Sequence, residues 1–198
     1  MQSSPLYAIP LELRQLKQFI LWKDDKVPYQ INGQLASVTE PSHWSTFDEC
    51  FNCLQLGGWK GMGFVFTEAD PYTFIDLDNP NGDAAILERQ LKVFNEFNPY
   101  AEVSPSGMGL HIIIKGKVEA GRRRHPLAVS SSTNYAPMTG NVYNDRLTIT
   151  DCQSMLTQLW AQMGSGQAAQ SLYKGEEKET HDDKTIIERA TNAVNGDK

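Results

Sequence analysis

Residues 72–79 read Tyr-Thr-Phe-Ile-Asp-Leu-Asp-Asn, an apolar run that carries two carboxylates at alternate positions. In a strand, residues i and i+2 point the same way, so Asp76 and Asp78 face together while Ile75 and Leu77 face a core. Two carboxylates side by side raise each other's pKa unless a cation stands between them. A divalent ion, Mg2+ or Mn2+, resolves the conflict because hard cations take carboxylate oxygens. Such pairs support in-line phosphoryl transfer by a two-metal mechanism. The bland alternative is a strand that runs into a turn with exposed aspartates at its end. D-x-D alone does not decide between the two.

The flanking sequence sets the fold class. Residues 10–22 read as a short helix entering an apolar Phe-Ile-Leu-Trp strand, and Ile31-Asn32-Gly33-Gln34 as a hairpin turn. Residues 44–56 form a helix with Ser45 or Thr46 as N-cap, stopped by Gly57-Gly58. Residues 63–66 and 72–78 are apolar runs separated by turn chemistry, Thr67-Glu68-Ala69-Asp70-Pro71, which predicts an antiparallel hairpin. Residues 84–97 carry an apolar stripe of Ile86, Leu87, Leu91, Phe94 and Phe97 at helical spacing. Short strands follow at 101–103 and 110–114, then strand-like pieces near 128–129, 135–138 and 147–149, and a helix over 153–163. This order is mixed α+β with hairpins, not a series of βαβ repeats.

The 198 residues suffice for one domain with an appendage. Beyond residue 163 the composition changes. Residues 164–184 read as a flexible linker, and 185–198 as the start of a following helical segment cut short, leaving 1–163 as the domain. Nothing resembles a secretory signal or a membrane span, so a cytoplasmic protein is expected. The three cysteines cannot form a disulfide framework, and Cys50 and Cys53 fall inside a helix as small core residues. A net charge of −6 argues against a protein that coats DNA, but not against an enzyme acting on nucleic acid.

Two further stretches carry chemistry. In Ser104-Pro105-Ser106-Gly107-Met108-Gly109-Leu110-His111, the glycines allow close backbone approach and the serines add hydroxyls. Exposed amides in such a loop form a nest for phosphate oxygens, and His111 opens the following strand where it can reach a phosphate; the alternative, favoured for a lone histidine, is a Gly-rich hairpin with a partly buried ring. Lys115, Lys117, Arg122, Arg123 and Arg124 make a compact basic patch suited to a nucleic-acid backbone. Tyr135, followed by Thr139-Gly140, could stack on a base or sugar, but alone this stretch reads as a strand end and turn.

Taken in order, the D-x-D strand, helix, Ser-Pro-Ser-Gly-x-Gly-Leu-His loop, basic loop and Thr-Gly turn resemble the primase–polymerase domain of phage and plasmid replication proteins, within the archaeo-eukaryotic primase superfamily. Lys26-Val27-Pro28, Trp44, Phe47-Asp48 and the Gly61 to Phe66 strand extend the resemblance upstream, and residues 187–198 resemble the start of the segment downstream of this domain in longer members. The resemblance implies an RRM-like catalytic sheet with flanking helices, plus a smaller α/β subdomain. It implies Asp76 and Asp78 as metal ligands, catalytic with His111. Ser104, Ser106, Gly107, Gly109 and His111 would bind the incoming triphosphate, and Tyr135 and Thr139 would line the nucleotide pocket. The implied activity is template-directed DNA priming and polymerisation in phage or plasmid replication. Nucleoside triphosphates are the substrates, single-stranded DNA template and primer the partners, with a helicase module in the same full-length chain.

Three positions depart from that pattern. Counting back from Thr139, the third carboxylate falls on Ala128 with Ser130 in place of a tyrosine, the usual basic residue falls on Asn134, and Met108 replaces a basic residue before Gly109. The alternative is therefore a weakened or inactive nucleotide- or single-stranded-DNA-binding module on the same fold. A rolling-circle initiator nuclease wants a paired-histidine strand, and His111 has no partner two residues away.

Overall fold

A computed structural model describes residues 4–164, Asp25 and Asn98 excepted. The linker and following segment expected at 164–184 and 185–198 lie outside the described residues, apart from Gly164. Two antiparallel sheets face each other with helices around them, an α+β architecture.

The smaller sheet begins after a single helical turn, α1 (Leu11–Arg14), with β1 (Phe19–Trp22) and β2 (Pro28–Tyr29). Helix α2 (Phe47–Gln55) starts where Thr46 and Glu49 form a reciprocal capping box. Strand β3 (Gly61–Phe66) then enters beside β1, buried at every position because it is central and covered on both faces. The larger sheet is assembled from β4 (Tyr72–Asp78), helix α3 (Ala84–Phe97), β5 (Tyr100–Val103), β6 (Gly109–Lys115), β7 (Arg122–Arg124) and β8 (Leu127–Ser130). The chain returns to the smaller sheet as β9 (Asn134–Met138) and ends in α4 (Gln153–Gly164). The strand orders are β2-β1-β3-β9 and β5-β6-β4-β8-β7.

The hairpin expected between 63–66 and 72–78 does not form. β3 pairs with β1 and β9, whereas β4 pairs with β6 and β8. The link between them crosses from one sheet to the other. Asp70 fixes this corner by accepting from the Thr67 amide at 2.7 Å, the Tyr72 amide at 3.0 Å and the Gln18 side chain at 2.9 Å. The two runs meet face to face, with the Phe66 and Phe74 rings stacked at 5.7 Å. Residues 147–149 form no strand, and Arg122–Arg124, expected as a loop, are an edge strand.

Alternation on β4 sets up the site. Ile75 and Leu77 face away from the smaller sheet into a core with Val93, Phe94, Phe97, Leu156 and Leu159 of α3 and α4. Tyr72 and Phe74 face the other way into the core shared with Phe19, Phe64 and Phe66. Asp76 and Asp78 continue that second face to the point where the aromatic filling ends. No helix among the described residues is long and apolar enough to cross a membrane.

Candidate active site

One line of residues crosses the larger sheet from edge to edge in register: Glu102 on β5, His111 on β6, Asp76 on β4, Ala128 on β8 and Arg123 on β7. Directly opposite residues share a face, so these five side chains are neighbours. Asp78 sits two residues along β4, opposite Gly109.

His111 is buried between the sheets, its ring edge-on to Phe74 at 5.0 Å. Its Nδ1 lies 3.0 Å from the Pro137 carbonyl oxygen of β9. A carbonyl only accepts, so Nδ1 carries the proton, and in the neutral ring Nε2 presents its lone pair. Burial holds the ring neutral by pulling its pKa down to about 4. Nε2 points towards Asp76, 3.7 Å from Oδ1. Burial, reinforced by the charge of Asp78, pushes the Asp76 carboxyl up to about 6, while Arg123 and Lys26 pull the other way. The side of Asp76 away from His111 faces Arg123, whose Nη2 lies 3.7 Å from Asp76 Oδ2 and 3.7 Å from Asp78 Oδ2.

The Ser104–Gly109 loop is the β5–β6 hairpin, and it packs on the end of β4. The Asn79 amide donates to the Met108 carbonyl at 2.8 Å. A methyl on Gly109 would stand 2.2 Å from the Leu77 carbonyl oxygen, so only glycine lets β6 approach β4 here. Three amides of the expected nest are engaged within the loop. Gly107 N–H donates to the Ser104 carbonyl, Met108 N–H lies 3.3 Å from Ser106 Oγ, and Ser104 N–H returns to Gly109. The Ser104 and Ser106 hydroxyls are 3.0 Å apart.

Other expected residues stand elsewhere or are already engaged. Tyr135 lies on β9 with its ring over Gly63, and its hydroxyl donates to the Lys26 carbonyl. The Thr139 hydroxyl donates to the Val103 carbonyl at 2.8 Å and accepts from the Asn141 amide at 3.1 Å. Lys115 is at the far end of β6, paired with Glu12 at 2.7 Å. The Lys117 ammonium donates to the carbonyls of Thr67 and Ser131 at 2.6 Å each, beside Asp70. Arg122 points to the opposite face, its guanidinium stacked 3.3 Å over the Trp160 ring. Arg124 is exposed at the sheet edge. Of the five cations of the patch, Arg123 is the one brought to the carboxylates.

Two residues escaped the sequence reading. Glu102 is wholly buried and takes the Thr139 amide on Oε1, with the Gly140 amide and the Tyr100 hydroxyl on Oε2, each at 2.9 Å. Oε1 also lies 3.9 Å from His111 Nδ1. Burial nonetheless drives its pKa up to about 7. Lys26 adopts a left-handed backbone (φ 55°), and its charge acts on both Asp76 and His111. A carboxylate in an otherwise apolar strand was a readable signal for Glu102; nothing marked Lys26 beyond its place in a family-like stretch.

No protein-family model matches the chain. Over an alignment of 147 positions that covers 68% of its length, the chain is 35% identical to a protein of Nitratiruptor phage NrS-1 described as "DNA Primase-polymerase". It spans about a fifth of the length of that relative. On this match the chain carries a primase–polymerase domain.

Proposed function

We propose that this domain carries out template-directed nucleotidyl transfer, in which a primer 3′-hydroxyl attacks the α-phosphate of a nucleoside triphosphate and pyrophosphate leaves. The observation that carries the reading is the shared open face of β4 and β6, where Asp76 and Asp78 lie beside His111 and the glycine-bearing hairpin.

The two carboxylates suit Mg2+ or Mn2+, because a single positively charged nitrogen already sits at 3.7 Å from both. Among the described residues no group of three His, Cys, Asp or Glu side chains converges on a metal position. That fits an ion held by one or two carboxylates and completed by substrate phosphates. When bound, the ion would neutralise charge developing on the phosphoryl oxygens. His111 is neutral in the free protein. An arriving triphosphate would favour its protonated form, and Nε2 would then donate to a phosphate oxygen. Lys26 and Arg123 flank the pair as cations for the same polyanion. Single-stranded DNA template and primer would cross this open face, with a helicase module elsewhere in the full-length protein.

One observation favours a second reading, a module that binds nucleotide or single-stranded DNA without turnover. Ala128, directly beside Asp76 on β8, offers no ligand. Primer extension on a templated duplex with Mg2+ or Mn2+ tests both. The first reading expects product that D76N and D78N abolish. Metal-dependent triphosphate binding without extension favours the second. Absence of both, with A128E equally silent, overturns the assignment.

A further inference from the structure

The row Glu102–His111–Asp76–Ala128–Arg123 has one member without a functional group, and that gap is occupied. Arg123 reaches over the Ala128 methyl and places one nitrogen 3.7 Å from a carboxylate oxygen of each aspartate. The strand alternation isolates it for this task. Its neighbour Arg122 is turned to the other face, where it stacks on Trp160 and donates to the Trp160 carbonyl. A longer side chain at 128 would stand in the path of the guanidinium. The nitrogen therefore sits where a single positive centre serves both carboxylates.

We propose that Arg123 is the resident counter-cation of the Asp76–Asp78 pair, competing with the divalent ion for it and passing to the nucleotide phosphates when the ion takes the carboxylates. The proposal rests on the reading of this face as a nucleotidyl-transfer centre. The physical grounds are three. Asp76 is largely buried and beside a like charge, so its ionised form needs a positive partner. Arg123 is 72% exposed, so its contact is screened and readily broken. A planar guanidinium matches phosphate oxygens as well as carboxylate oxygens, so it keeps a partner after displacement. Ala128 thereby has a role: its small size admits the arginine.

The test is Mn2+ titration followed by electron paramagnetic resonance on wild type, R123Q, R123K and D76N, with and without a non-hydrolysable nucleoside triphosphate. Without nucleotide, R123Q should bind Mn2+ about five-fold tighter than wild type. R123K, which keeps the charge, should lie between them. With Mn2+ present, R123Q should bind the triphosphate more weakly. Mn2+ affinity that is unchanged or reduced in R123Q overturns the competition. If D76N loses Mn2+ in that case, the metal site stands and only the role of Arg123 falls. Equal Mn2+ binding by wild type and D76N removes the metal-site reading itself.

Discussion

Asp76 and Arg123 are separated across the sheet by a single residue, Ala128, and their side chains meet over it at 3.7 Å. A glutamate at 128 would stand beside Asp76 and add a third carboxylate to the face. Without a cation the three acids repel; with one they share it. A128E should therefore gain more thermal stability from Mn2+ than wild type does, by about 1 kcal/mol or more, corresponding to roughly 2–4 °C at this size. Melting in EDTA and in MnCl2 measures the difference. Equal Mn2+ responses would mean that position 128 does not face the metal.

Glu102 gives a pH-dependent signature. Its folded pKa, about 7, lies above the ordinary 4.5, so the folded state holds its proton more tightly than the unfolded chain. The stability linked to this proton is full below pH 4.5 and is lost as pH rises through 7, a change on the order of 3 kcal/mol. Glutamine does not titrate, and it offers one oxygen where three donors now converge. E102Q should be less stable than wild type at pH 4.5, with the deficit shrinking towards pH 8. Urea denaturation across that range decides it. A deficit independent of pH would rule out Glu102 as the titrating group.

What the sequence made legible was local. The alternation in Phe-Ile-Asp-Leu-Asp gave the face of both aspartates, and the apolar stripe over 84–97 gave α3, because each signal lies within a few residues. The pairing of strands was not local. A five-residue turn between 66 and 72 reads the same whether the chain folds back or crosses to a second sheet. The better clue was that β3 is apolar at every position, as a strand covered on both faces must be. Three consecutive arginines hide their own alternation, so nothing distinguished Arg123 from Arg122. Glu102 finds its partners at Thr139 and Gly140, more than thirty residues away.

Lys117 is predicted to matter for stability and not for nucleic acid. Its ammonium ties the Thr67 and Ser131 carbonyls together beside the buried Asp70. K117M leaves those oxygens and the carboxylate short of a donor, at a cost of about 2–3 kcal/mol in urea denaturation. Single-stranded DNA affinity should keep the same dependence on salt. A phosphate contact would instead lower the slope of log K against log salt by about 0.7. Such a drop in K117M would return the residue to the binding face.

Gly107 and Gly109 stand two residues apart in one loop and are required for different reasons. Gly107 has φ +73° with open space around the position of a Cβ, so alanine there costs only the left-handed backbone, about 1 kcal/mol. At Gly109 a Cβ would be driven to 2.2 Å from the Leu77 carbonyl oxygen, a backbone atom that cannot rotate away. G109A must push β6 off β4 at the register that sets His111 against Asp76, so about 3 kcal/mol should be lost. The triphosphate affinity should fall with it, because the displaced strand carries His111. G107A should retain that affinity. Paired urea and nucleotide titrations of the two variants test the distinction, and equal effects would show that conformational freedom, not close approach, is what the loop needs from both glycines.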